Sequence, residues 1–223
     1  MIDLILTRVK GFLGDVDLAE ILKGAAAAFI IRACGAVLGF ALGVVIARNL
    51  GPAGAGIYFL ALAVATATTV LGMAGMGTSS IRFIAASNEA GRFGQARSVA
   101  NLAVSRGLIF LILLSGLIFV FSGFLSGTVF GKPEFEKPLR YISIGITPFG
   151  ILQLVAEQLR GMKRISAATS LQSIFLPTIT LALFFAFGRN FFAEGAVLSF
   201  TAAAVLVMFI GLGFRQIALP ALN

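Results

Sequence analysis

Apolar residues fall along this chain in long blocks rather than in alternation, and six blocks stand out. They cover residues 24–47, 57–77 with an extension toward 86, 107–124, 139–159, 167–187 and 195–214. Each is near the roughly 20 residues needed to cross a 30 Å hydrocarbon layer at 1.5 Å per helical residue. The pattern predicts an all-α fold, a polytopic membrane bundle of about six transmembrane helices over residues 23–215, with a short tail over 216–223. The connections carry turn residues: Gly51-Pro52 and Gly54 after the first block, Lys132-Pro133 and Lys137-Pro138 before the fourth. No solenoid-period repeat and no domain-separating linker is present.

Residues 1–22 read differently. Ile2, Ile5, Leu6, Val9, Phe12, Leu13 and Val16 recur at helical spacing with charges between them, as in an amphipathic helix on a membrane surface. The apolar stretch and small-residue cleavage site of a signal peptide are missing.

Composition agrees with a membrane setting. Of 223 residues, 59% are hydrophobic and 12% charged, and mean hydropathy is +1.03. So much apolar surface cannot be hidden in a soluble fold of this size, so lipid is the implied solvent. The net charge of +8 fits basic residues flanking membrane helices better than a nucleic-acid surface, since no basic stripe is interleaved with aromatics. Cys34 is the sole cysteine and histidine is absent. The aspartates Asp3, Asp15 and Asp17 all precede the first block. Metal sites, cofactor chemistry and acid–base catalysis thus lack their usual parts, and an enzyme is not expected.

Lysine and arginine set an expected orientation. One side of the bundle carries Arg8, Lys10, Lys23, Arg82, Arg92, Arg97, Arg160, Lys163, Arg164 and Arg215. The other carries Arg48, Lys132, Lys137, Arg140 and Arg189, with Arg32 and Arg106 embedded or at a boundary. The richer side is expected in the cytoplasm, and so are both termini.

Arg32 is the sharpest chemical signal. It lies eight residues after Gly24, roughly 12 Å into the membrane by helical rise, where a charge costs at least about 2.5–3.5 kcal/mol. A cavity, an acidic partner or an anionic ligand would offset this; snorkelling to the headgroups is the alternative. Gly35, Gly39 and Gly43 continue its face at intervals of four, and a stripe of small residues usually faces another helix. Arg32 is therefore expected to point into the bundle. Arg82, Arg106 and Arg160 lie near the same ends of spans and, with Arg32, would line one cationic vestibule or serve as separate anchors. Glu157 is either an ion-coupling carboxylate or the partner of Arg160 three residues on. Pro148 and Pro177 should kink their helices. Thr66, Thr68 and Thr69 either pack or line a lumen.

The order of these features resembles the amino-terminal half of the polysaccharide and O-antigen flippases, the Wzx-type branch of the MOP/MATE-like exporter superfamily. The likeness runs from Lys23-Gly24 through the Arg32 span to Ala47-Arg48-Asn49-Leu50-Gly51-Pro52 and Gly56-Ile57-Tyr58. It continues in Gly75-Met76-Gly77, in Ser80-Ile81-Arg82-Phe83-Ile84-Ala85 and in Leu159-Arg160-Gly161-Met162-Lys163-Arg164. It spans about residues 23–214. Ala55 departs from it, where relatives place an aromatic, and the chain has the length of one lobe where the family has two.

The resemblance implies one lobe of a two-lobe transporter in a bacterial inner membrane. It implies an undecaprenyl-diphosphate-linked oligosaccharide as cargo, carried to the outer leaflet by alternating access. It also implies a second lobe, from a carboxy-terminal half or another copy, and Arg32 as the leading cavity arginine. A multidrug cation exporter of the same superfamily would need buried acids that the spans hardly offer. A non-transporting scaffold would leave Arg32 snorkelled.

Overall fold

The computed structural model describes residues 18–188 and 191–218. The amphipathic reading of residues 1–22 therefore lies mostly outside the described residues, as do Arg189 and residues 219–223.

The first two apolar blocks form one helical hairpin, α1 (Leu18–Met73), which leaves helical geometry at Gly51, with φ 67° and ψ 179°. That conformation is open essentially to glycine alone. Pro52 then starts the second arm, where its missing N–H costs nothing. The arms, α1a (18–50) and α1b (52–73), lie side by side, since the space a side chain at Gly43 would occupy is in contact with the Phe59 ring.

Two left-handed residues, Ala74 (φ 43°) and Gly75 (φ 76°), end this hairpin. The expected extension of the second block toward residue 86 is therefore a separate helix, α2 (Met76–Glu89). Helix α3 (Phe93–Val120) begins well before residue 107. Its first turns hold Gln95, Arg97 and Asn101, so hydropathy locates the lipid boundary and not the helix start. A single turn (Ser122–Phe124), a π turn (Leu125–Val129) and a 3-10 turn (Pro133–Phe135) lead to α4 (Glu136–Gly161). The fifth block is composite: α5 (Ile165–Ser170), a π turn (Leu171–Phe175) and α6 (Leu176–Ala186). The last helix is α7 (Phe192–Ala218).

Five helical stretches among the described residues are long and apolar enough to span a membrane. The first, Ala26–Met73, is 48 residues long and contains both hairpin arms. Divided at Gly51, the first stretch supplies two arms, so the five stretches account for the six apolar blocks.

Helix α4 is the hub. The most apolar part of its stretch is 72% buried, against 17% for α1 and α3, and α4 packs on α1, α2, α3 and α7. Leu139, Ile142, Ile146, Leu152 and Val155 are fully buried on it. Small residues let the neighbours close in. A Cβ at Gly150 would lie 2.6 Å from Leu111, and one at Gly161 3.1 Å from the Ile81 carbonyl oxygen. Outward, Phe29, Phe40, Leu113, Val120 and Phe209 are exposed, a rim that only lipid can solvate favourably.

The two internal prolines have different outcomes. Pro148 sits inside α4. One residue before the Ile144 carbonyl that it leaves without a donor, the Ser143 carbonyl accepts a hydrogen bond from Ser115 of α3. Pro177 opens α6 directly after a π turn. Its missing N–H leaves the Ser173 carbonyl without its usual partner, and the wider turn accommodates the defect.

Candidate functional site

The hairpin, the π turn and α6 enclose a groove of about 360 Å³, completed by Phe200 of α7. Its polar lining includes Arg32 and Tyr58 from the two arms, Gln172 and Ser173 from the π turn, and Thr180 from α6. Gly35 lies so close to Ser173 that no side chain fits between them, which joins α1a to the π turn. Gly39 meets nothing within 4 Å and lines the groove. The glycine stripe therefore makes a tight contact at Gly35, opens at Gly39 and closes again on Phe59 at Gly43. Arg32 stands one turn before Gly35 and lines the groove, but like Cys34 it is exposed, so it sits at the open rim and not inside the bundle as its glycine stripe predicts.

Behind the groove wall runs a chain of polar side chains. Arg160 donates through Nη1 to Glu157 Oε1 at 2.5 Å and through Nη2 to Gln172 Oε1 at 2.5 Å. Gln172 in turn donates from Nε2 to Gln153 Oε1. Glu157 thus forms the i, i+3 ion pair that its spacing from Arg160 allows. Gln172 links this chain, anchored on α4, to the groove that Arg32 lines.

Arg32 thus lines the groove directly, whereas Arg160 does not line it and is joined to it only through its hydrogen bond to Gln172. Arg82 on α2 and Arg106 on α3 are exposed and do not line the groove. Thr66 bonds its own helix at the Leu62 carbonyl, and Thr68 and Thr69 are buried. No cluster of three or more potential metal-ligating side chains occurs among the described residues.

Two features escape a reading of the sequence. The Tyr58 side chain is 1% exposed, lines the groove, and its hydroxyl has no hydrogen-bond partner among the described residues. Arg215, counted above among the charges at helix ends, is 8% exposed. It donates from Nε to Gln158 Oε1 at 2.8 Å and from Nη2 to Asn101 Oδ1 at 2.5 Å. Gln158 completes this second network by donating to the Ala100 carbonyl at 2.9 Å, so α3, α4 and α7 are tied together at one end. The signal for both networks is a set of amides, Gln153, Gln158 and Gln172, inside or beside apolar blocks, where a buried amide needs a partner.

A family model described as "Polysaccharide biosynthesis protein" matches residues 21–219. No curated protein and no solved structure matches the chain.

Proposed function

The chain belongs to the polysaccharide biosynthesis protein family, and from that premise we propose that it is one lobe of a flippase for a lipid-linked oligosaccharide. The cargo is a polyprenyl-diphosphate-linked glycan unit, moved from the cytoplasmic to the outer leaflet of a bacterial inner membrane. A diphosphate and its sugar hydroxyls cannot cross hydrocarbon unaided, because their desolvation costs far more than thermal energy supplies. A cationic, water-accessible groove lowers that cost while the lipid tail stays in the bilayer. Rocking against a second lobe would expose the groove to either side. The end carrying Arg160, Lys163, Arg164 and Arg215 faces the cytoplasm in this reading.

One observation carries the proposal: Arg32 lines the same groove as Gln172, whose amide is hydrogen-bonded to Arg160. A guanidinium on the wall of a groove suits a phosphate-bearing ligand. Glu157, the acid closest to this region, is already paired with Arg160, which favours anionic cargo over the cation of a multidrug exporter. The function is transport rather than catalysis.

The test is Arg32→Ala in the intact gene product. Glycan export is expected to fail while protein level in the membrane stays normal. Export at the parental rate would remove Arg32, and with it this reading of the groove.

A further inference from the structure

Arg215 is a buried guanidinium held by amides alone. It is 8% exposed, and its partners among the described residues are the oxygens of Gln158 and Asn101. Arg97, one turn before Asn101 on α3 and exposed, stands close enough for its own charge to act on Arg215. Neither guanidinium is paired with a carboxylate among the described residues. Two like charges drawn together with no acid between them favour an anion.

Asn101 turns donors outward. Its oxygen faces Arg215, which can only donate, so its nitrogen and both N–H groups point away from that bond, and the residue is exposed. The Arg97 guanidinium adds further donors at the same end of α3. Arg215 needs no direct contact with a ligand, because its charge acts from behind Asn101.

The surroundings say which anion fits. Leu102, Phe214 and Ile217, beside these residues, are exposed and apolar, as at a lipid boundary. Farther along the same two helices runs an apolar groove of about 620 Å³, floored by α4 at Pro148. Leu108, Ile112, Gly116 and Val120 line it from α3, with Met208 and Phe209 opposite on α7. Arg97, Asn101, Leu108 and Ile112 fall on one face of α3 by helical spacing. Leu108 lies about 10 Å beyond Asn101, and Phe209 about 9 Å before Arg215, so the groove starts at one level on both helices. From Leu108 to Val120 the wall extends about 18 Å, close to the roughly 15 Å of hydrocarbon in one leaflet. A phosphate at the polar end thus sets one acyl chain along the groove, from headgroup to midplane. A free anion would make no use of the groove, and a polyprenyl tail long enough to enter both leaflets would overrun it.

We propose that the seam between α3 and α7 binds an anionic phospholipid, with its phosphate on Arg97 and the Asn101 amide, in the field of Arg215, and one acyl chain in the groove. This site shares no residue with the groove that Arg32 lines and does not depend on the transport reading.

The test is native mass spectrometry of the intact protein in micelles, titrated with phosphatidylglycerol or phosphatidylcholine, beside its Arg97→Gln, Arg106→Gln and Gly116→Phe variants. Arg97 is exposed, Arg106 is exposed on another face of α3, and a Cβ at Gly116 meets nothing within 4 Å, so all three variants should fold. The parent is expected to hold one phosphatidylglycerol about tenfold more tightly than phosphatidylcholine, whose choline the two guanidiniums repel. Arg97→Gln should weaken phosphatidylglycerol several-fold and leave phosphatidylcholine unchanged. Gly116→Phe should weaken both lipids, and Arg106→Gln should match the parent. No preference in the parent, or equal losses in Arg97→Gln and Arg106→Gln, overturns the site, since any basic helix end would then serve. Unaltered binding in Gly116→Phe overturns it too, because the groove would then hold no chain. Displacement of phosphatidylglycerol by equimolar polyprenyl phosphate would give the seam to the cargo, and displacement by soluble glycerol phosphate would give it to a free anion; either result overturns the phospholipid assignment.

Discussion

Arg215 and Gln158 clasp the ends of α7 and α4: the guanidinium Nε donates to the amide oxygen at 2.8 Å, with both side chains buried. Arg215→Met removes this bond and the one to Asn101, stranding the Gln158 oxygen in the core. The expected loss is about 2–3 kcal/mol of stability, read as lowered unfolding resistance in micelles. Because the two residues share one bond, Arg215→Met and Gln158→Leu together should cost less than the sum of their separate effects. Additive losses would mean that the two side chains act independently.

Gly35 and Gly39 look alike in sequence, but their surroundings are opposite. A methyl group at Gly35 collides with the Ser173 side chain and backbone, whereas at Gly39 it meets open space. Gly35→Ala should therefore destabilise the bundle by about 1–3 kcal/mol and impair export, while Gly39→Ala folds normally. Equal thermal stability of the two variants would show that α1a does not seat on the π turn.

Glu157 and Arg160 form a half-buried pair, and such pairs contribute about 1 kcal/mol or less. Glu157→Gln keeps the shape and a weaker hydrogen bond, so export and melting temperature should stay near the parental values. Abolished export at normal protein level would instead make this carboxylate an ion-coupling group.

Orientation is tested by reporter fusions. A tag in the turn between α2 and α3, at Gly91–Arg92, is expected to be cytoplasmic, since Arg82, Arg92 and Arg97 surround it. Changing Lys163 and Arg164 to Gln should produce a measurable fraction of inverted molecules. A periplasmic tag in the parent protein would reverse the whole topology.

The crossings were legible in the sequence because lipid imposes length and apolarity residue by residue. Arg32 was legible for the same reason, as a charge where hydropathy expects none. Neighbourhood was not. Hydropathy is blind to which helices touch, so Arg215 reads as one more basic residue at a helix end until α3, α4 and α7 are seen to meet around it. The π turn at Leu171–Phe175 is hidden in the same way. Pro177 announces a backbone defect, but only packing against Gly35 selects a widened turn over a plain kink. Tyr58 sits beside a turn motif and reads as part of it, and its unbonded hydroxyl emerges only once the two arms and the π turn enclose a common space.

The chain reversal at Gly51 has a consequence for biogenesis. Without Gly51 and the helix-breaking Pro52 that follows it, the backbone would carry helix onward through Ala26–Met73, and 48 residues make a rod of about 70 Å, more than twice the thickness of the hydrocarbon layer. Such a rod would have to lie flat or leave half its apolar length in water. The Gly51-Pro52 pair thus lets the nascent chain enter the membrane as a ready-made pair of antiparallel helices, in which the second arm returns beside the first before the rest of the protein is synthesised.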